Sequence, residues 1–247
     1  MKIIIAPARI MQVDTDSFPY QQLPQFLKQT KEIWDWLRSL TVEQLTDLWQ
    51  ASPKIVQQNY QRMHHQNLTA ELTPAIIAFT GLQYQSMAPD VFSTNGLAYI
   101  EKHLRILSGF YGLLRPFDGI VPYRLAMKEP AQVNGKHNLY EFWNKQLYQE
   151  LYRQDNLVLD LASVEYEKAI IPYLQPDNRF IKCVFGEIIN GKVKQKATLA
   201  KIARGSMVRY LAENQIQTIE GVKQFSVGGY QFTPELSTSA KLVFIKG

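Results

Sequence analysis

"LRILSGFYGLLRPFDGIVPYRLAMK", residues Leu104–Lys128, is the stretch on which the fold turns. Gly109, Gly112 and Gly119 stand close to Arg105, Arg115 and Arg124, with Tyr111, Tyr123, Pro116 and Pro122 between them. The segment is too punctuated for one long helix and too apolar for a solvent loop. With a helix ending near Leu107, Ser108–Gly112 would supply the turn of a helix–hairpin–helix. In such an element, closely spaced glycines let backbone amides approach a phosphate without reading base sequence. Arg115 and Arg124 would add charge at neighbouring phosphates. The same residues also have a structural reading, in which Gly109 and Gly112 permit a tight turn while Tyr111 and Tyr123 fill the core. A Gly-x-x-Gly spacing alone does not choose between the two.

The chain around this stretch has 247 residues, 46% hydrophobic and 20% charged, which suits one compact globular domain over 1–247. A formal net charge of +5 is compatible with a polyanionic partner but does not demand one. Cys183 is the single cysteine, so no intrachain disulfide can form and a reducing, cytoplasmic setting is expected. The opening "MKIIIAPARI" is a short apolar run broken by Pro7 and Arg9; it reads as a first strand at Lys2–Ile5 rather than a secretory segment. No stretch approaches the roughly 18 apolar residues of a membrane span, so no membrane partner is expected.

Helices are predicted at Gln21–Leu40, after Thr41 with a Thr41/Gln44 capping box, and after Ser52-Pro53. Ala75–Phe79 reads as a buried strand, Ser93–Leu104 and Asn138–Tyr152 as helices, and Leu157–Leu161 as a strand. Asn190-Gly191 supplies the positive φ values of a type I′ hairpin between Phe180–Ile189 and Lys192–Lys194. A helix over Gln195–Asn214 and a terminal strand in "KLVFIKG" complete a mixed α/β (α+β) pattern without internal repeats.

Two further segments could carry chemistry. From Lys192 to Ala212 lie Lys192, Lys194, Lys196, Lys201, Arg204 and Arg209, with no acid. At about 100° per residue, Leu199, Ile202, Ala203, Met207 and Tyr210 share a face and Lys201 and Arg204 lie opposite. Solvated helix faces normally mix both signs, so an all-positive ridge points to an anionic partner. Gly205 costs such a helix about 1 kcal/mol relative to alanine, a sign of close approach by a backbone or ligand. In "DLASVEYEKAI", Asp160, Ser163, Glu165 and Tyr166 follow a strand, where α/β proteins often place ligand groups. Ser163 there is either a nucleophile with Glu165 as base, or simply a helix cap. His64, His65, His103 and His137 show no ligand spacing, and no phosphate-binding or dinucleotide-binding loop occurs; no metal or cofactor is expected.

Several segments, in order, resemble a known bacterial family: "IAPARI", "AFTGLQY", "HLRILSGFYGLLRPFDGIVPYRLAM", "LYEFW", "LASVEYEKAI", "KIARGSMVRYL" and "FSVGGYQF…LVF". Together they span the chain and are similar to the peroxide stress protein YaaA family. The resemblance implies a mixed α/β domain of that family's own type, with a helix–hairpin–helix beside a basic cleft. It also implies sequence-nonspecific DNA binding in the peroxide stress response, limiting free iron and oxidative DNA damage. Arg9, Gly109, Gly112, Arg115, Tyr123, Arg124, Lys194, Lys201 and Arg204 are the DNA-binding residues to expect on this view. The alternative is an enzyme acting on a nucleotide or nucleic-acid phosphate, with Arg9, Arg115, Arg124 and Ser163 lining the cleft. The family's usual "SPAKT", "GDVY", "YRLEMG" and "SEGY" appear here as "APARI", "GLQY", "YRLAMK" and "VGGY". Ala6, Arg9, Leu82, Ala126 and Gly228 are thus departures, three of which remove an acid. They favour binding over catalysis.

Overall fold

Lys2–Ile5 forms strand β1, buried along its whole length as a β-branched run in the middle of a sheet should be. The computed structural model spans all 247 residues. After the short strand Ile10–Met11 (β2), three helices follow: Leu27–Ser39 (α1), Val42–Trp49 (α2) and Pro53–His65 (α3). Thr41 and Gln44 close both halves of the capping box on α2, and Pro53 sits in the first turn of α3. The helix expected from Gln21 begins only at Leu27. Pro24 interrupts it, and Gln21 and Gln22 are held extended against Phe117 and Gly119.

Thr73–Pro74 (β3), Ala75–Ala78 (α4), Phe79–Thr80 (β4), Leu82–Met87 (α5) and Thr94–His103 (α6) come next. Most of the expected strand over Ala75–Phe79 is therefore one fully buried helical turn. A short apolar run surrounded by core carries no period to separate the two states.

The quoted stretch folds as strands: Leu104–Ser108 (β5), Gly112–Leu114 (β6) and Gly119–Ile120 (β7). The helix–hairpin–helix expected there is overturned, because α6 stops at His103 and the chain pairs at once with β1, Ile3 opposite Leu104. Ser108 Oγ accepts the amides of Phe110 and Tyr111 at 3.2 and 2.8 Å, so the turn satisfies its own donors. Gly109 and Gly112 are buried. The Trp143 indole N–H donates to the Gly109 carbonyl at 2.9 Å, and a Cβ on Gly112 (φ +74°) would fall 2.8 Å from the Trp143 ring. Neither glycine can present an amide to a phosphate. The structural reading holds: Tyr111 and Tyr123 are core side chains, and the Tyr123 hydroxyl meets Ser108 Oγ at 2.7 Å.

Leu139–Trp143 (α7) and Gln146–Leu151 (α8) replace the single helix expected there, broken at Asn144 with φ +47°. The chain continues through Leu157–Leu161 (β8), Val164–Glu167 (α9), Arg179–Ile189 (β9) and Lys192–Lys194 (β10). Ala197–Glu213 (α10), Ile219–Lys223 (α11), Tyr230–Phe232 (β11) and Lys241–Lys246 (β12) complete it. Asn190 and Gly191 take φ values of +52° and +71°, as the hairpin motif requires.

One sheet in the order β11-β12-β9-β8-β1-β5-β6, with β10 on β9, organises the molecule. Its five central strands β12, β9, β8, β1 and β5 are parallel, and β11 and β6 run antiparallel at the ends. The chain leaves β1 towards β5 on one side, then returns to lay β8 on the other side of β1 and continues to β9. The order therefore reverses between β1 and β8, and crevices in open α/β sheets form outside the carboxyl ends of strands at such points. A single cluster of 65 buried residues forms the core. No helix is long and apolar enough to cross a membrane.

Candidate anion-binding site

A cavity of about 540 Å³ opens where β1 and β8 end. Ala6 to Arg9 run from β1 into its wall, and Ser163, Glu165 and Tyr166 do so from β8. Helix α5 contributes Gln83 and Tyr84, α10 contributes Lys201 and Arg204, and the loop after β7 contributes Tyr123 to Ala126 and Glu129. The Tyr84 hydroxyl donates to the Ala6 carbonyl at 3.0 Å and ties α5 to the end of β1.

Arg9, Arg124, Lys201 and Arg204 line this one concavity. None of them takes part in the ion pairs of the chain. Arg9 and Lys201 are exposed, whereas Arg124 and Arg204 are half-buried and their Nε atoms are fully buried without a hydrogen-bond partner. Gln83 is buried at 7% exposure, and its side-chain nitrogen likewise has no partner. Buried donors left unpaired cost folding free energy, of order 1–3 kcal/mol each and more when charged. Three side chains with such an atom stand around this one cavity.

The acids nearby do not cancel this field. Burial lowers the pKa of Arg204, against which Asp160 and Glu167 raise it. Those two acids are largely spoken for. Lys182 Nζ holds both oxygens of Glu167, at 2.7 and 2.6 Å. Burial, reinforced by the neighbouring Glu167, pushes Asp160 well above the usual carboxylate range, and its Oδ1 accepts the Ala162 amide at 2.8 Å. Glu129 is pushed up to about 6, chiefly by burial, against the Ala126 amide at 2.9 Å and the charges of Arg124 and Arg9. Glu165 accepts the Lys128 amide at 3.2 Å.

Of the expected site residues, the structure brings together Arg9, Tyr123, Arg124, Lys201 and Arg204. Tyr123 joins them as a buried wall whose hydroxyl is already engaged by Ser108. Gly109 and Gly112 are packed in the core, and Lys194 is exposed on β10, away from the cavity lining. Arg115 lies elsewhere, in a smaller cavity of about 340 Å³ with Lys2, Arg105, Glu150 and Arg153. Its Nε pairs with the fully buried Asp118 at 2.8 Å, and a terminal nitrogen donates to the Leu23 carbonyl at 3.0 Å. Arg115 is a structural cation. Arg115→Gln is expected to lower stability by about 2 kcal/mol, the scale of a charged hydrogen bond, and thermal melts of the two proteins check it.

The all-positive ridge expected on α10 is also corrected. The buried side of the helix is Ala200, Ala203, Met207, Val208 and Leu211, and Arg204 turns into the cavity rather than out to solvent. Acids just outside the Lys192–Ala212 run pair with two of its cations: Glu187 of β9 with Lys196 at 2.7 Å, and Glu213, the last residue of α10, with Arg209 at 2.7 Å. Ser163 stands at the helix-cap position of α9, but its side chain makes no cap bond and lines the cavity instead. Sequence reasoning missed Gln83 and Glu129. Gln83 lies within the family-like segment "AFTGLQY", which was the available signal; Glu129 has no motif around it. Four of the five departures, Ala6, Arg9, Leu82 and Ala126, line the cavity.

A family model described as peroxide stress protein YaaA matches residues 1–236. A protein named UPF0246 protein in Limosilactobacillus reuteri (strain DSM 20016) is 66% identical, over 99% of this chain and 98% of its own length. Proteins of the same name in Pediococcus pentosaceus and Ligilactobacillus salivarius are 53% and 50% identical, each over 100% of this chain and over 98% and 100% of their own lengths.

Proposed function

The chain belongs to the peroxide stress protein YaaA family, and from that premise we propose that it binds DNA without sequence specificity, holding phosphate in the cavity between β1 and β8. Its service in peroxide stress would be to protect bound strands from iron-driven oxidative damage. One observation carries the binding half: Arg124 and Arg204 are half-buried guanidinium groups that make no direct ion pair in the chain, beside the exposed Arg9 and Lys201. Guanidinium forks match phosphate oxygens in pairs, and unpaired ones in a dry site favour an anion strongly. For single strands each neutralised phosphate contributes about 0.7 to the slope of log affinity against log salt. Four cations therefore predict a slope near −3 (roughly four contacts). A filter-binding titration from low to high salt measures it, and a flat line removes this reading.

Glu129 makes the binding pH-dependent. Its carboxyl titrates at about 6 and faces Arg9 and Arg124. Below that pH it is neutral and both cations are free for phosphate; above it, one negative charge competes. Phosphodiesters stay charged throughout, so affinity for an oligonucleotide is expected to rise several-fold as pH falls from about 7 to about 5, as one competing negative charge is lost beside Arg9 and Arg124. Glu129→Gln should bind tightly at both values. Equal pH dependence in the variant would show that another group titrates.

A second reading draws on the same cavity. Ser163, freed from capping, stands with Glu165 and a carboxyl poised near neutrality, the equipment of phosphoryl chemistry. Incubation with nucleotides and DNA, with and without divalent cations, would reveal it as product formation lost in Ser163→Ala; absence of product at any enzyme concentration excludes it.

A further inference from the structure

We infer that the cavity takes the terminal phosphate of a single nucleotide, a phosphate monoester on a nucleoside, rather than the internal phosphodiesters of a duplex. The inference rests on the phosphate-binding reading above and specifies its ligand. Charge matching is the first argument. A monoester carries about −1.5 to −2 at neutral pH, against −1 for a diester, and neither of the half-buried cations Arg124 and Arg204 is closed into an ion pair of the chain. The doubly charged group matches two such cations better.

Depth is the second. Arg124 and Arg204 are only partly exposed and Gln83 is buried, yet all three line the cavity, so a group must enter it to meet their side chains. A duplex backbone runs over a surface and reaches exposed cations such as Arg9 and Lys201 only. The cavity volume of about 540 Å³ falls within the range of small-molecule sites and accommodates one nucleotide, not a helix. The third argument is the rim. Ile10 and Leu82 line the cavity and remain 69% and 39% exposed, an apolar border beside a cationic floor. A nucleotide has that same division, with a flat base that can lie on aliphatic side chains and an anionic end that enters. Gln83 adds an uncharged donor for a sugar or base oxygen.

Free mononucleotides and the phosphorylated end of a strand share this chemistry, and binding experiments separate them. Fluorescent single-stranded oligonucleotides bearing a 5′-phosphate, a 3′-phosphate or only hydroxyl ends are titrated into the full chain, then competed with a deoxynucleoside monophosphate, the corresponding nucleoside and inorganic phosphate. A phosphate-ended strand is expected to bind at least about tenfold tighter than the hydroxyl-ended one, one charge-assisted contact's worth. The monophosphate should compete and the nucleoside should not. Leu82→Asp, an exposed rim position in the first turn of α5, and Arg124→Gln should each erase the end preference while retaining the native melting transition. Equal affinity for phosphate- and hydroxyl-ended strands overturns the inference and leaves general DNA binding intact. Binding of the monophosphate with no binding of any strand supports the pocket and overturns the DNA-binding reading instead.

Discussion

Lys201→Glu combined with Arg204→Gln is expected, on the proposed DNA-binding reading, to weaken single-stranded DNA binding by about 100-fold or more at low salt. The estimate follows from two lost charge-assisted contacts at roughly 1.5–3 kcal/mol each, and each 1.4 kcal/mol is about tenfold in affinity. The salt slope should also become shallower, by about 1.4 for two single-strand contacts. The choice of substitutions matters. Lys201 is exposed, so reversing its charge leaves the fold alone. Arg204 stands near Asp160 and Glu167, and a carboxylate there would concentrate negative charge in the interior. Glutamine removes the charge without that penalty, because Glu167 keeps Lys182 at 2.6 Å. Melting curves establish that the double variant is folded. A folded variant with unchanged affinity and slope would mean that phosphate binds elsewhere.

Gly205→Ala is expected to be the most damaging single methyl in the molecule. Helix α10 crosses α5 so closely at this point that an added Cβ would lie 2.0 Å from the Gln83 carbonyl oxygen and 2.9 Å from its carbon. Backbone, not a flexible side chain, is in the way. Alanine would gain about 1 kcal/mol of helix propensity, but overpacking of this kind costs about 1–3 kcal/mol and more where backbone must shift. With backbone only 2.0 Å away the cost falls at the top of that range, and a net loss of about 2 kcal/mol corresponds to a melting temperature lower by roughly 4–8 °C in a chain of this size. Because Gln83 lines the cavity, its displacement should also loosen phosphate binding. An alanine variant with unchanged melting and affinity would show that α5 and α10 slide apart freely, contrary to their packing.

Much of this was legible in the chain itself. The glycine at 205 announced a close approach, and the structure identifies the neighbour as the α5 backbone. The Asn190-Gly191 hairpin, the Thr41/Gln44 capping box and the strands at Lys2–Ile5 and Leu157–Leu161 are local features, and each forms where its residues predict. The glycine-rich block deceived for a physical reason. Gly109 and Gly112 signal close packing, but the packing partner is the Trp143 ring, remote in sequence, rather than a phosphate. Its Ser108 hydroxyl then consumed the amides that an anion would have needed.

Local composition and spacing by themselves determined the mixed α/β class, the turn chemistry and the presence of unbalanced positive charge, and the quoted segments carried the family resemblance. They also marked Arg9, Arg124, Lys201 and Arg204 as cations worth following. Only the tertiary structure decided which cations would meet and which would be neutralised. Arg115 is spent on Asp118, Lys196 on Glu187 and Arg209 on Glu213. The other four converge because β8 lies beside β1 while β5 occupies β1's far side, opening a crevice at the strand ends. Strand order is set by burial between segments more than 100 residues apart, and no window of sequence contains both sides of that contact.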